Sequence, residues 1–454
     1  MNLPDYFLAD LPPEASLSPA MLGEACRALK NNRERFLAHR STDSLIAVLS
    51  SVASHWLEPS SHFRQLALER GPLETGFSRA TLARGLDAFF KPLTPENFRA
   101  LLEQELGHRH RLDKMVSSEP EAAANRAAVG TAPEFLVHIA AGNLPNPTWM
   151  SLLFGLLVRS AQFIKCARGT SFLPRLLAHS IYEADPKLGA CLEIAEWQGG
   201  NEALEATVFA EADCVTATGG DETLAAIRQR LSPRTRFLGY GHRVSFAYIA
   251  ANLLGGLLPR RLVSRAADDI VAWNQLGCLS PQVIYVQTGG ALAPEAFAAQ
   301  LAAELAEREE SEPRGALPVE AAVAIAARRS FYEVHAAHSP DTLLWCSPQS
   351  TAWTVVFEAD PLFQLSCLNR FVYVKAVASL SEVLRSAEAV RGQVSTVGLA
   401  VTSDVEQDLA TELARWGATR VCPLGQMQKP PLTWRHDGRP ALGDLITWTD
   451  WEME

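Results

Sequence analysis

Residues 135–167 read FLVHIAAGNLPNPTWMSLLFGLLVRSAQFIKCA, and their order decides the fold. FLVHIA is a short apolar run closed by turn residues, the pattern of a strand buried on both faces. AGNLPNP breaks it with Gly, Pro and Asn. A helix is expected from about residue 147, with Asn146 capping it and Pro147 at its first position. QFIKCA (162–167) reads as the next strand and TSFLPRLLAHSIYEA as the next helix. Strand, short loop, helix, strand is the unit of a parallel sheet covered on both faces.

The alternation continues downstream. CLEIAEW, DCVTAT (213–218) and RFLGYG (236–241) read as strands, separated by helices. A second set follows: a helix through SRAADDIVAWNQ, the strand QVIYVQ (282–287), a helix over 293–308, and the strands WTVVFE, RFVYVKAV and STVGLAVT. Ser379 with Glu382, and Ser403 with Glu406, have capping-box spacing. The run EREESEPR (307–314) is charged and interrupted by proline, so it reads as a solvated loop. Upstream, residues 1–125 are mainly helical in pattern, and SEPEAAANRAAV (118–129) reads as a connector or surface helix. The class is therefore α/β, in more than one domain.

Bulk properties agree. A chain of 454 residues, 48% hydrophobic and 20% charged, fits two or three globular domains. A net charge of -10 argues against a nucleic-acid partner, which needs a basic footprint. The strongest apolar run, WMSLLFGLLV, is about half the ~20 residues that span a bilayer. MNLPDYFLADLPPE has neither a basic nor an apolar signal region, so a cytoplasmic location is expected. The eight cysteines form no CxxC pair. They are expected to be thiols, mostly serving as small buried hydrophobes. His335 and His338 have metal-ligand spacing, but a polar helix end is the favoured reading and no metal is expected.

Four stretches carry candidate chemistry. Cys278, in WNQLGCLSPQ, follows a helix and precedes a strand; alone, it reads as buried filler. Asn143 lies past the carboxyl end of a strand, where it either makes a turn or donates to an oxyanion. Lys165 ends a strand and Arg168 follows before a helix, which together would attract an anion. Gly219 and Gly220, in VTATGGDETLAAI, let a phosphate approach a helix start; a lone Gly-Gly turn is usually structural.

In their order these stretches resemble the aldehyde dehydrogenase superfamily, and within it the LuxC-like fatty acyl-CoA reductases. HIAAGNLPNP, FGLLVRSAQFIKCARGTSF, VTATGGDETLAAIRQ, LGYGHRVSF, WNQLGCLSPQ and WRHDGRPALGDLITW carry the resemblance. It implies two Rossmann-like α/β domains with the active site between them. Residues 1–125 would pack on a cofactor domain (126–245), followed by a cysteine domain (246–420). A tail (421–454) would return to the cofactor domain or to a subunit interface. By motif, Cys278 resembles the nucleophile and Asn143 the oxyanion donor. Lys165 resembles the ribose ligand, and Gly219 and Gly220 the pyrophosphate turn.

Two departures sharpen the expectation. Hydrolytic members carry a general-base Glu where this chain has FLGYGHRVSF, which contains no acid. Without a base to activate water, an acyl-enzyme should pass to hydride rather than to water. His242 in that segment could assist proton transfer, but a structural or surface role is the favoured reading. NAD-preferring members often place an acid where Arg168 stands, and a cation there favours the 2′-phosphate of NADPH over NADH. Glu358 is set aside as too early for the second ribose acid. The expected activity is NADPH-dependent reduction of an acyl thioester to aldehyde. The expected donor is acyl-CoA, an acyl carrier or an acyl-protein synthetase, and the expected assembly is a homo-oligomer, dimer or tetramer. The alternatives are an aldehyde dehydrogenase forming acid, or a non-catalytic acyl-transfer partner.

Overall fold

A computed structural model describes residues 3–12 and 14–454. The chain divides into two compact units. Unit 1 runs to Arg70 and continues over Leu86–Gly241 and Pro431–Glu454; unit 2 comprises Gly71–Gly85 and His242–Pro430.

Unit 1 begins with helices and then a strand the sequence reading missed, β1 (Arg126–Thr131). The parallel sheet follows: β2 (Phe135–Ile139), β3 (Ala161–Cys166), β4 (Leu192–Glu196), β5 (Cys214–Thr218) and β6 (Arg236–Tyr240). Its order is β4-β3-β2-β5-β6, so the direction of winding reverses between β2 and β5. On one face Phe135, Val137, Phe163 and Val215 pack against Leu22, Leu204, Val208 and Ile227 of the covering helices. The other face carries a polar chain. His138 bonds Thr216 Oγ1 at 2.6 Å and Gln162 Oε1 at 2.9 Å, and Gln162 Nε2 donates to Leu152 O at 3.0 Å. Desolvation pushes His138 down to about 4, so a neutral imidazole ties β2, β3 and β5 together. A Cβ at Gly155 would fall 2.3 Å from the Gln162 amide, so only glycine lets the helix Asn146–Leu157 approach this closely.

Unit 2 holds β7 (Val244–Ile249), β8 (Pro281–Gln287), β9 (Thr342–Cys346), β10 (Thr354–Glu358), β11 (Phe371–Val377), β12 (Val394–Ala400) and β13 (Val421–Pro423). The order is β13-β12-β7-β8-β11-β10-β9, parallel except for the β9–β10 pair. Ala247, Ile249, Ile284 and Val286 face the helices Leu258–Val271 and Pro294–Ser311. Phe246, Tyr248, Val283 and Tyr285 face the helices Val319–His338 and Ser403–Trp416. Strand residues therefore alternate between two buried faces, as a doubly covered sheet requires. The final strand, β14 (Thr447–Glu452), belongs to unit 1 and pairs antiparallel with β1.

Several sequence expectations need correction. RAAVGT and VSFAYI are strands that the pattern reading passed over; the first is rich in Ala and Gly, which disfavour strands. EREESEPR is not a solvated loop, because the helix runs to Ser311 and Arg308, Glu309 and Glu312 are in ion pairs. Glu309 bonds Arg370 at 2.8 Å, Glu312 bonds Arg84 at 2.7 Å, and Arg308 bonds Glu304 at 3.0 Å. Asn146 does not cap its helix but is its first residue, which moves Pro147 to the second position; Asn146 Oδ1 is buried without a hydrogen-bond partner. Ser403 likewise starts its helix, with Thr402 at the cap position. Ser379 does cap its helix, accepting from Glu382 N at 3.3 Å.

Candidate active site

In unit 1 the candidate residues share the carboxyl edge of the sheet. Asn143 is exposed in the loop after β2. Lys165 is the penultimate residue of β3, only 6% exposed, and its ammonium lies 5.7 Å over the Trp197 ring. Among the described residues Lys165 makes no hydrogen bond or ion pair of its own. Desolvation pulls its pKa down, while Glu205 and Glu196 lie close enough to favour its charge. Trp197 and Gly199, in the turn after β4, are neighbours the sequence reading missed; Trp197 Nε1 is buried and has no hydrogen-bond partner.

Arg168 is exposed at the turn after β3. The anion expected on the amides of that turn is already supplied by the protein. Glu196, the last residue of β4, accepts from Gly169 N at 2.7 Å and from Ser171 N at 3.2 Å. Gly219 donates its N–H to Tyr240 O at 3.1 Å, and Gly220 caps the helix Asp221–Arg230. A Cβ at Gly220 would meet nothing within 4 Å, so the backbone there is open to a ligand. Asp221 and Glu222 fill the first turn and already complement its dipole. The residues fit an adenine dinucleotide: a buried cation without a hydrogen-bonded partner, an indole N–H beside it, and an open glycine turn at the same carboxyl edge of the sheet.

The tail packs within unit 1. His436 stacks on Tyr240 with centroids 4.9 Å apart, Trp434 lies 4.8 Å from His436, and the Arg439 guanidinium sits 5.6 Å from the Tyr240 centroid. Its aromatic spacing gave no signal of that partner.

Cys278 lies in unit 2, at the opposite kind of strand end: a half-buried turn just before β8. The preceding helix ends at Val271, and Trp273, Asn274 and Gln275 are all left-handed, with φ of 49°, 52° and 63°. Each such residue costs roughly 1–2 kcal/mol unless local bonds offset it. Here they do. Asn274 Nδ2 donates to Arg314 O at 2.8 Å, Gln275 Nε2 to Pro281 O at 2.8 Å, and Arg370 Nε to Asn274 Oδ1 at 3.2 Å. The Trp273 ring occupies the place of a Cβ at Gly85. Ser245 Oγ on β7 donates to Cys278 O at 2.6 Å and accepts from Thr396 N at 3.0 Å, so two strands pin the cysteine backbone.

One cation lies within electrostatic reach of this turn. Arg420 donates to Met427 O at 2.6 Å and to Gln426 O at 2.9 Å, and it interacts electrostatically with Cys422, Asp269 and, most weakly, Cys278. Desolvation pushes Cys26, Cys166, Cys191 and Cys214 up to about 12, and Cys422 up to about 11, so these stay protonated at neutral pH.

Outside these sites, Glu358 forms a buried pair with Lys375 at 2.9 Å, and His242 is exposed. His335 Nδ1 bonds Thr342 Oγ1 at 3.0 Å and His338 Nδ1 bonds Val334 O at 2.8 Å. No described helix is long and apolar enough to cross a membrane.

Known proteins agree with this architecture. The chain resembles the Delta-pyrroline-5-carboxylate dehydrogenase from Mycobacterium tuberculosis (TM-score 0.69, 13% identity, 96% of this chain and 83% of that one). It is similar also to an NAD-dependent benzaldehyde dehydrogenase from Corynebacterium glutamicum (TM-score 0.71, 12% identity, 96% and 91%). At such identities the likeness establishes the aldehyde dehydrogenase fold. In sequence it is 23% identical to a long-chain acyl-protein thioester reductase 2 of Photobacterium leiognathi, over 78% of this chain and 70% of the relative. It is 24% identical to a long-chain acyl-protein thioester reductase of Aliivibrio fischeri, over 70% of this chain and 63% of the relative. The family described as acyl-CoA reductase (LuxC) matches residues 37–448. With that match covering most of its length, the chain belongs to the acyl-CoA reductase (LuxC) family.

Proposed function

We propose that this enzyme reduces an acyl thioester to an aldehyde through an acyl group carried on Cys278, with NADPH as the preferred reductant. The observation that carries the reading is the Cys278 turn. A half-buried thiol follows a left-handed, bonded turn, its backbone carbonyl accepts from Ser245, and Arg420 interacts with it electrostatically. A fixed nucleophile with a cation nearby is what thiolate attack requires.

Cys278 thiolate attacks the thioester carbonyl, and Asn143 donates to the resulting oxyanion. The thiol of the donor leaves, and the acyl group stays on Cys278. A nicotinamide cofactor, when bound, supplies the hydride that this thioester accepts. Lys165, Gly219 and Gly220 hold the dinucleotide, and Arg168 favours its 2′-phosphate. Collapse of the thiohemiacetal then returns the Cys278 thiolate and releases aldehyde. The segment FLGYGHRVSF offers no carboxylate to activate water against the acyl-enzyme. The names of the relatives support a protein-bound acyl donor as an alternative to acyl-CoA. Homo-oligomeric assembly belongs to the same proposal and rests on the family resemblance.

The test is Cys278→Ala assayed with acyl-CoA and NADPH, with products identified after aldehyde trapping. Loss of roughly 10³-fold or more of the cofactor oxidation, with aldehyde the wild-type product, is expected. Undiminished turnover in the variant would discard Cys278. Free acid from the wild type would favour a hydrolytic aldehyde dehydrogenase.

A further inference from the structure

We propose that Glu196 is a cofactor-specificity residue: its carboxylate occupies the turn amides beside Arg168 and opposes a 2′-phosphate there. The inference rests on the reading that the carboxyl edge of unit 1 binds a nicotinamide dinucleotide with its adenosine ribose near Lys165.

The turn after β3 is built to present amides. Gly169 is left-handed at φ 77°, Thr170 N bonds Ala167 O at 3.1 Å, and the helix Phe172–Ala184 starts with no side-chain cap from Ser171. Backbone N–H groups at such a helix start attract an anion. Glu196 reaches across from β4 and uses one oxygen on each of two amides, at 2.7 Å and 3.2 Å. Lys165 stands in the adjoining position of β3, buried and without a bonded partner, and Glu196 is among the charges that favour its ionised form. Arg168, between Lys165 and Gly169, is exposed and makes no ion pair among the described residues.

One turn thus carries two opposed instructions. Arg168 attracts the dianionic 2′-phosphate of NADPH, and Glu196 repels it from the amides where it would otherwise settle. The ribose hydroxyls of NADH carry no charge and can donate to a carboxylate, so Glu196 does not oppose them. The balance of the two side chains sets the ratio of NADPH to NADH affinity. Arg168 alone, which is all the sequence offers, overstates the preference for NADPH.

The experiment measures dissociation constants for NADPH and NADH by cofactor fluorescence, without acyl substrate, in wild type, E196Q, E196D and R168A. Gln keeps an oxygen for Gly169 N while removing the charge. E196Q should tighten NADPH about tenfold and leave NADH within about threefold, the scale of one charge-assisted contact. E196D, which retains the charge, should keep the wild-type ratio. R168A should weaken NADPH about tenfold and spare NADH. The proposal is overturned if E196Q shifts both cofactors equally or neither, or if E196D moves the ratio as E196Q does. If the wild type binds neither dinucleotide, nor 2′,5′-ADP, nor 5′-AMP, the dinucleotide reading of unit 1 itself fails. Binding with parallel changes in the variants removes only the role of Glu196.

Discussion

The two units place candidate chemistry at opposite ends of their strands. In unit 1, Asn143, Lys165, Glu196 and Gly219 all lie at or just past the carboxyl ends of parallel strands. In unit 2, Cys278 lies just before the amino end of β8. The difference matches the roles proposed for the two sites. A carboxyl edge leads into helix starts, where amides and open glycine turns remain for a ligand. The Cys278 turn leaves little free. Its left-handed residues are locked by Asn274, Gln275 and Arg370, and its backbone is pinned by Ser245. A binding site needs groups left over; a nucleophile needs a fixed position.

Substitutions should separate the two. The largest effect after loss of the cysteine is expected at Asn143. Asn143→Ala should lower kcat by about 10²–10³-fold, as removal of one oxyanion donor does. Its affinity for the nucleotide should stay close to that of the wild type. A parallel loss of nucleotide binding would instead make Asn143 a structural part of unit 1.

Lys165→Met should weaken dinucleotide binding by about ten- to a hundredfold, the range of a charged hydrogen bond. The rate at which iodoacetamide alkylates Cys278, followed by peptide mass spectrometry, should not change. If alkylation slows as much as binding weakens, the separation drawn between the units is broken.

The strained turn can be tested on its own. Asn274→Ala should destabilise the protein by about 2–3 kcal/mol, through the left-handed backbone and the lost bonds to Arg314 and Arg370. Asn274→Gly keeps the backbone conformation and should recover about 1 kcal/mol of that loss. Equal destabilisation in both variants, measured by urea unfolding, would mean that strain contributes nothing.

The smallest effect concerns pH and unit 1 alone. The Glu193 carboxyl is desolvated and lies near Asp10, which pushes it up to about 8 while it accepts from Leu8 N at 2.7 Å. Between the ordinary carboxylate range and that value, the native state keeps a proton that the unfolded chain releases. Stability therefore falls as pH rises through this window. Glu193→Gln should remove that fall, so its Tm advantage over wild type should grow by several degrees from about pH 5 to about pH 8. A constant offset between the two proteins would show that Glu193 does not titrate there.

Much of this was legible from the residues. Apolar runs of strand length with short polar connections led to the parallel sheets, and the strand-end loops identified Asn143, Lys165 and Gly219 as candidates. What stayed hidden depended on distant partners. Glu196 looks like any acid at a strand end until β4 lies beside β3. EREESEPR reads as solvated until Arg84 and Arg370 are brought against it. Periodicity cannot show three consecutive left-handed residues; the Asn of WNQLG was the only hint, because Asn tolerates that conformation better than most. β1 and β14 pair from distant parts of the chain, and β1 is rich in Ala and Gly, which disfavour strands.

The central claim is tested most directly by catching the acyl group. The protein is incubated with a long-chain acyl-CoA in the absence of reductant, then digested and read by mass spectrometry. The account predicts one acyl adduct, on the peptide bearing Cys278, which disappears as aldehyde when NADPH is added. Turnover with no adduct on Cys278, or an adduct that leaves as free acid, would contradict it.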